Sequence, residues 1–239
     1  MPTVLGIDTA TARLSVAVLS EGGRERERSV GPDEDGRPRH ATGLMGAVEE
    51  VVGAAGGWGT IELIAVGIGP GTFTGLRIGV VTARALAQAR RLPICGISSL
   101  AALAAGIAES PRARGDAPLL PVIDAKRKEV FAALYSPQGE ELWPPLVAAP
   151  EELARRVSQL DTRPLAAGDG SLRFRQALEA GGAIVLDQAD AAHQVSARQV
   201  CRLAARAEPG SPEEVKPLYL RRPDAELWRE RDRGRNQGA

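Results

Sequence analysis

The chain has 239 residues, 44% of them hydrophobic, and its 30 basic and 30 acidic residues give a formal net charge of zero. This composition supports a sizeable core and excludes a wholly disordered chain. No uncharged apolar run reaches the roughly 18 residues of a membrane span, and the first residues lack the pattern of a secretion signal. The two cysteines, Cys95 and Cys201, exclude a disulfide scaffold and a four-cysteine zinc site. We therefore expect a cytoplasmic protein with no membrane contact.

In the first half, apolar runs and turn residues predict two strands joined by a tight turn, a charged edge strand, and then strands that alternate with helices. The strands are predicted at 4–7, 14–19, 24–30, 61–68 and 94–97, and the helices at 40–55 and from the turn at 69–75 to about residue 91. Arginine and glutamate alternate over 24–28, which favours a solvated edge strand over an anion site.

The second half repeats this alternation of strands and helices. Strands are predicted at 119–124, 130–135, 165–167 and 184–186, and helices at 99–108, 150–160, 172–180 and 196–207. The pattern indicates an α/β protein with two lobes, residues 1–98 and 99–222, each built on a mixed sheet flanked by helices. Residues 223–239 are dominated by charged side chains, and we expect a flexible tail there.

The glycine-rich turn at 69–75 follows a buried strand and opens a helix. Free backbone N–H groups at such a helix start can bind an anion. The Lys-Ser/Thr pair of a Walker loop is missing, because Leu76 and Arg77 follow Gly75. The glycines are therefore better explained by a sharp turn and close packing.

Small residues recur every four positions along the helix that follows, at Gly75, Gly79, Ala83 and Ala87. This stripe permits very close approach of another helix. The covering helix is either the preceding one, which begins near His40, or a helix of another protein. The sequence leaves both alternatives open, and His40 itself is expected to be solvated.

A few residues are weak candidates for nucleotide binding. Asp8 and Thr9 lie in a turn between two strands, where related nucleotide-binding lobes approach phosphates. Gly168 and Gly170 flank Asp169 in a turn suited to close backbone approach. A hairpin turn with local hydrogen bonds is the alternative explanation for Asp8 and Thr9, and the glycine pair alone is a weak signal. No Gly-x-Ser-x-Gly elbow and no pair of histidines at metal-binding spacing is present, so we expect no catalytic residue, no metal and no cofactor on this chain.

Residues 67–79, GIGPGTFTGLRIG, resemble the signature of the TsaB (YeaZ) family. Residues 7–10 (IDTA), 97–100 (ISSL), 124–130 (DAKRKEV) and 217–221 (PLYLR) resemble further family segments in the same order. The resemblance covers about residues 3–222. The turn at 124–129 is most simply a solvated loop, and a contact with an anion or tRNA is the less favoured alternative.

The resemblance implies the two-lobed actin/sugar-kinase/Hsp70-like fold. It also implies a non-catalytic subunit that pairs with the threonylcarbamoyltransferase TsaD and acts with the ATPase TsaE. The product is N6-threonylcarbamoyladenosine next to the anticodon of tRNAs that decode ANN codons. ATP and metal are then expected on the partner subunits, and a homodimer is an alternative when the chain is alone. The implied partner surface lies on the first two helices, at Leu44, Val48, Gly75, Gly79, Ala83 and Ala87.

Two other functions remain as alternatives at this stage. An ATP-dependent small-molecule kinase of the same fold would need a catalytic aspartate in the second lobe and an adenosine pocket, and the sequence identifies neither. An M22-type metallopeptidase would need metal ligands, and the chain has no His-x-x-x-His pattern.

Overall fold

A computed structural model describes residues 1–113 and 115–221. The first sheet consists of β1 Val4–Asp8, β2 Leu14–Leu19, β3 Glu25–Val30, β4 Leu63–Gly69 and β5 Ile94–Ser98. The second consists of β6 Leu119–Lys126, β7 Glu129–Tyr135, β8 Glu141–Ala148, β9 Leu165–Ala167 and β10 Ile184–Val185. The predicted tail at 223–239 lies outside the described residues.

The α-helices fill the connections and cover the sheets. They are α1 His40–Ala54, α2 Phe73–Arg90, α3 Ser99–Ala108, α4 Pro150–Val157, α5 Asp169–Arg173, α6 Arg175–Ala180 and α7 Ala197–Ala204. Short 3₁₀ helices occur at Trp58–Thr60 and Ala191–His193. None of the helices in the described part of the chain combines the length and apolarity that a bilayer span requires.

The two sheets share one topology. Their strand orders are β3-β2-β1-β4-β5 and β10-β9-β6-β7-β8. In each, the first three strands form an antiparallel meander and the next two add in parallel beside the first strand. Each lobe therefore repeats the same sheet, as the sequence alternation predicted.

The core is layered because side chains alternate across each strand. On one face of the first sheet, Leu5 and Ile7 pack with the buried sides of α1 and α2. On its other face, Val4 joins α3, α7 and the inner face of the second sheet in one cluster. A third cluster lies beneath α4 and α6. After α7 the chain returns to the first sheet, where Gly210 pairs with Ile94 and Leu218 N–H donates to the Ile68 carbonyl at 2.7 Å.

Most predicted elements are confirmed within a few residues, and two differences have physical causes. Strand β8 was not predicted because it contains Pro144 and Pro145, and proline cannot donate to a sheet ladder. It forms because β8 lies at the edge of its sheet, paired only with β7 among the described strands. The helix predicted at 172–180 is interrupted at Phe174, whose φ of −114° and ψ of 28° separate α5 from α6.

The prediction of a solvated edge at β3 is confirmed for residues 26–28, which are exposed, but it missed that the glutamates of β3 pair with α7. Glu25 pairs with both Arg198 and Arg202 of α7, and Glu27 pairs with Arg198 at 2.9 Å. Arg202 also pairs with Glu109, just after α3. The alternation places arginines on one face of β3 and glutamates on the face that meets α7. These ion pairs therefore fasten the edge of the first sheet to the helices between the sheets.

Arg202→Ala is expected to lower the free energy of unfolding by about 2 kcal/mol, because it leaves the largely buried Glu25 carboxylate, 15% exposed, without its bidentate partner. Arg28→Ala is the matched control. Its partner Glu50 is 61% exposed, so we expect a loss of about 0–1 kcal/mol. Urea denaturation measures both values. Equal losses in the two variants would show that the β3–α7 pairs add nothing beyond an ordinary surface ion pair.

Candidate functional site

The glycine-rich segment fits closely against the turn between β1 and β2. Gly67, Gly71, Gly75 and Gly79 recur every four residues, and a Cβ built at each would overlap atoms of residues 8–10. Two hydrogen bonds fix the contact: Thr9 Oγ1 donates to the Gly75 carbonyl at 2.7 Å, and Thr72 N–H donates to the Ala10 carbonyl at 2.8 Å. The segment therefore packs closely against the chain's own β1–β2 turn. This contact explains the glycines without a bound anion.

The six residues predicted as a partner surface are buried inside the chain, which corrects that assignment. Each is inaccessible to a partner while the chain is folded. They are Leu44, Val48, Gly75, Gly79, Ala83 and Ala87. The two glycines of the stripe face Thr9, and the two alanines belong to the core beneath α1 and α2. Internal packing thus takes up the close approach that the small residues permit. Whether α1 and α2 contact a partner elsewhere stays a prediction.

The outer side of α1 and α2 carries apolar side chains that the chain leaves exposed. Met45 of α1 is 44% exposed and Val81 of α2 is 62% exposed. Ile78 lies half-buried on α2, and Ala41 and Ala85 are exposed. Apolar side chains left exposed on two helices are candidates for a contact with another macromolecule.

Asp8 is enclosed at the end of β1, only 1% exposed. Its Oδ2 accepts a hydrogen bond from the Ser99 hydroxyl at 2.6 Å, and its Oδ1 accepts one from Ala10 N–H at 2.9 Å. Burial raises the pKa of Asp8 to about 6, although the hydrogen bonds from Ser99 and Ala10 work in the opposite direction. The carboxylate therefore ties β1 to the start of α3 within the chain.

Asp8→Asn is expected to flatten the pH dependence of stability between about pH 4 and pH 6. The folded-state pKa of about 6 exceeds the ordinary value of 3.8. The stabilising contribution of protonated Asp8 is therefore complete below pH 3.8 and is lost as the pH rises through 6. At pH 8 the variant should be more stable than the wild type by up to about 3 kcal/mol. Urea denaturation at pH 4 and pH 8 measures this. A greater stability of the wild type at pH 8 would contradict it.

His40 is buried rather than solvated, at 3% exposure, which corrects the expectation for this residue. Its ring lies beside Gly75, and its Nε2 has no hydrogen-bond partner, a feature found at no other buried side chain of the described residues. Burial lowers the pKa of His40, although hydrogen bonds with the backbone of Thr11 and Ala12 work in the opposite direction. The ring therefore fills space between Gly75 and the β1–β2 turn.

In the second lobe, Asp124 organises the end of β6. Its carboxylate accepts hydrogen bonds from Lys126 Nζ at 2.9 Å and from Arg173 Nη1 at 2.7 Å. Burial alone would raise the pKa of Asp124, but these two cations outweigh it and hold the pKa below its ordinary value. Asp169 Oδ1 in turn accepts a hydrogen bond from Asp124 N–H at 2.9 Å, which ties the start of α5 to β6.

The other candidate residues of the second lobe have internal roles. A Cβ at Gly168 would overlap the Val122 carbonyl, and a Cβ at Gly170 would lie 2.8 Å from the carbonyl carbon of Ile123. Gly168 N–H donates to His193 Nδ1 at 3.1 Å, and His193 Nε2 lies 3.0 Å from the Asp187 carbonyl. These glycines therefore allow α5 to pack directly on β6.

These contacts do not fit a nucleotide cradle. The four residues predicted as weak candidates, Asp8, Thr9, Gly168 and Gly170, are all buried and occupied by contacts within the chain. The cysteines offer no nucleophile either, since both are buried and burial raises the pKa of Cys201 to about 12. The described residues also contain no group of three His, Cys, Asp or Glu side chains that could hold a metal ion.

Comparisons with known proteins place the chain in a family. A family model described as TsaD, tRNA N6-adenosine threonylcarbamoyltransferase, matches residues 30–179. The protein of Escherichia coli K12 named tRNA threonylcarbamoyladenosine biosynthesis protein TsaB is 30% identical over 229 residues, which cover 91% of this chain and 94% of that protein. The chain belongs to the TsaB (YeaZ) family. The resemblance of residues 67–79 to the TsaB signature is thereby confirmed.

Solved structures confirm the fold of this TsaB-family chain. YeaZ from Pseudomonas aeruginosa is 29% identical, with a TM-score of 0.74, and the match covers 92% of this chain and all of that one. The ROK hexokinase from Thermus thermophilus has a TM-score of 0.50 at 16% identity, over 85% of this chain and 99% of the hexokinase. The second likeness shows the fold alone. Together they confirm the two-lobed actin/sugar-kinase/Hsp70-like fold.

Proposed function

We propose that this chain is the non-catalytic subunit that pairs with a TsaD-like threonylcarbamoyltransferase. With a TsaE-like ATPase, the pair would form N6-threonylcarbamoyladenosine next to the anticodon of tRNAs that decode ANN codons. ATP and metal would reside on the partner subunits, and the complex would work in the cytoplasm and meet tRNA as a unit. When it is alone, the chain could pair with a second copy of itself through the outer side of α1 and α2. Membership of the TsaB (YeaZ) family supports the proposal.

The observation that carries the pairing is the exposed apolar side of α1 and α2. Met45 and Val81 are 44% and 62% exposed, on two helices whose inner faces are fully packed. A partner that covers these side chains would remove apolar surface from water and stabilise the complex. We therefore propose that the interface lies on the outer side of α1 and α2 rather than on the buried stripe of the same two helices.

The polar groups that could carry chemistry are buried or hydrogen-bonded within the chain, which supports a subunit without catalytic activity of its own. Asp8 and Asp124 are held by hydrogen bonds within the chain, and both cysteines are buried. A kinase of the same fold would need these groups around an open nucleotide site. The likeness to the hexokinase, at 16% identity, carries no argument for that activity. The donor sets of the described residues give the metallopeptidase alternative no support.

Co-purification with the TsaD homologue of the same organism, followed by reconstitution of tRNA modification, tests the proposal. We expect a stable complex and a modification rate that falls strongly when this chain is left out. Modification at full rate without the chain would overturn the proposal. Turnover of ATP by the chain alone, coupled to phosphorylation of a small molecule, would favour the kinase.

A further inference from the structure

The tip of the β6–β7 hairpin has an unusual backbone. Lys126, Arg127 and Lys128 have φ values of 63°, 53° and 61°, and Lys126 pairs with Glu129 across the hairpin. Positive φ at both residues of a two-residue loop is typical of a type I′ turn, which Asn-Gly fills most readily. Long side chains in this region crowd the backbone, and glycine avoids that cost. Turn-forming tendency therefore does not account for three consecutive basic residues here.

Two cations of this region are held in place by one carboxylate. Asp124, whose side chain is 5% exposed, accepts hydrogen bonds from Lys126 Nζ, Lys126 N–H and Arg173 Nη1 at 2.7–2.9 Å. The side chains of Lys126 and Arg173 nevertheless remain 58% and 50% exposed. Cations fixed in this way lose little conformational freedom when they meet an anion.

Basic side chains are concentrated at the hairpin, in a chain of zero formal net charge. Arg221, from the segment that returns to the first sheet, pairs with Glu129 at 2.7 Å and lies beside the hairpin. Five basic residues therefore belong to the hairpin or to segments that contact it, namely Lys126, Arg127, Lys128, Arg173 and Arg221. Lys126, Arg127 and Lys128 are exposed, while Asp124 is buried. The outer surface of the hairpin is therefore basic.

We propose that the tip of this hairpin, residues 126–128, binds the phosphate backbone of RNA. Because the RNA is taken to be tRNA, this proposal rests on the proposed function and names a direct contact with the substrate. RNA is favoured over an acidic protein because the tip offers only long cationic side chains. Lysine is depleted in the cores of protein interfaces, which use aromatic and apolar anchors. Phosphates, in contrast, are bound by lysine and arginine without such anchors.

The double variant Arg127→Asn/Lys128→Gly tests the proposal, because it removes both charges and supplies the preferred residues of the turn. We expect it to remain at least as resistant to urea as the wild type. Its binding to an unmodified tRNA transcript, by the chain alone and by the reconstituted complex, should weaken on the order of tenfold at 50 mM salt. The plot of log affinity against log salt concentration should become less steep by about two, or about one for each lost phosphate contact.

Arg155→Gln/Arg156→Gln on α4 is the matched control, since it removes two adjacent exposed charges elsewhere. We expect its tRNA binding and salt dependence to stay close to the wild type. Equal losses in the two double variants would overturn the proposal, because they would reflect total charge. Unchanged tRNA binding by the hairpin variant would also overturn it. If the double variant does not fold, Lys128→Gln should still lower the salt slope by about one.

Measuring complex formation with the TsaD homologue distinguishes a failure of this proposal from a failure of the proposed function. If the wild-type chain forms no complex with the TsaD homologue, the proposed function fails, and tRNA binding by the chain alone still decides the role of the hairpin. If the hairpin variant loses assembly but keeps its affinity for tRNA, the tip is a protein contact and the RNA proposal is overturned.

Discussion

Val81→Glu is expected to abolish assembly with the TsaD homologue while the chain stays folded. Val81 is 62% exposed in the chain alone, so a carboxylate there stays hydrated and should change the free energy of unfolding by less than about 0.5 kcal/mol. In a complex that covers this surface, the same carboxylate would be buried without a partner. A penalty of about 3 kcal/mol or more would weaken association over 100-fold. Size-exclusion chromatography and reconstituted tRNA modification measure the loss.

Leu142→Glu provides the control for this variant. Leu142 is 50% exposed on the edge strand β8, in the other lobe, so the change introduces the same charge at a comparably exposed apolar position. We expect it to assemble and support modification like the wild type. If Val81→Glu and Met45→Glu both assemble normally, the outer side of α1 and α2 is not the partner surface. If Leu142→Glu fails as well, the apolar surface of β8 has to be considered instead.

The small-residue stripe of α2 shows what the sequence can predict and what it cannot, because the sequence did not decide whether the chain itself or a partner covers it. The spacing of Gly75, Gly79, Ala83 and Ala87 predicted a close approach, and the structure contains one. What approaches Gly75 and Gly79 is the turn around Thr9, 66 residues away from Gly75 along the chain. Helical periodicity identifies which side chains share a face but does not identify what covers that face. A long-range contact between a helix and a turn leaves no periodic signal.

Charged residues likewise show that the sequence does not identify which distant residue contacts a given side chain. Alternation along β3 was used to predict a solvated edge strand, but the arginines that pair with its glutamates come from α7, far along the chain. The charged segment 124–129 was recognised as a turn between strands, whereas its left-handed backbone and the pairing of buried Asp124 with Arg173 of α5 were not predicted. Local sequence therefore predicts where charges lie, and the tertiary fold decides which of them are neutralised.

Gly79→Val is expected to lower the free energy of unfolding by about 3–5 kcal/mol. A Cβ at Gly79 would overlap Thr9 Oγ1, the atom that donates to the Gly75 carbonyl. Valine would therefore overpack the contact and break a buried hydrogen bond, and both effects are destabilising. Because small proteins are stable by about 5–15 kcal/mol, such a loss leaves little margin. Urea denaturation followed by circular dichroism measures it.

Gly46→Val is the matched control, because it makes the same change on α1 where a Cβ would meet no atom within 4 Å. Valine has a slightly higher helix propensity than glycine, so the free energy of unfolding should rise or stay within about 0.5 kcal/mol. A large difference in the free energy of unfolding between the two variants would show that close packing against the β1–β2 turn, rather than helix propensity, requires glycine at position 79. If Gly79→Val were as stable as Gly46→Val, the turn would have to move away from α2 at little cost, and the assignment of the stripe to internal packing would be wrong.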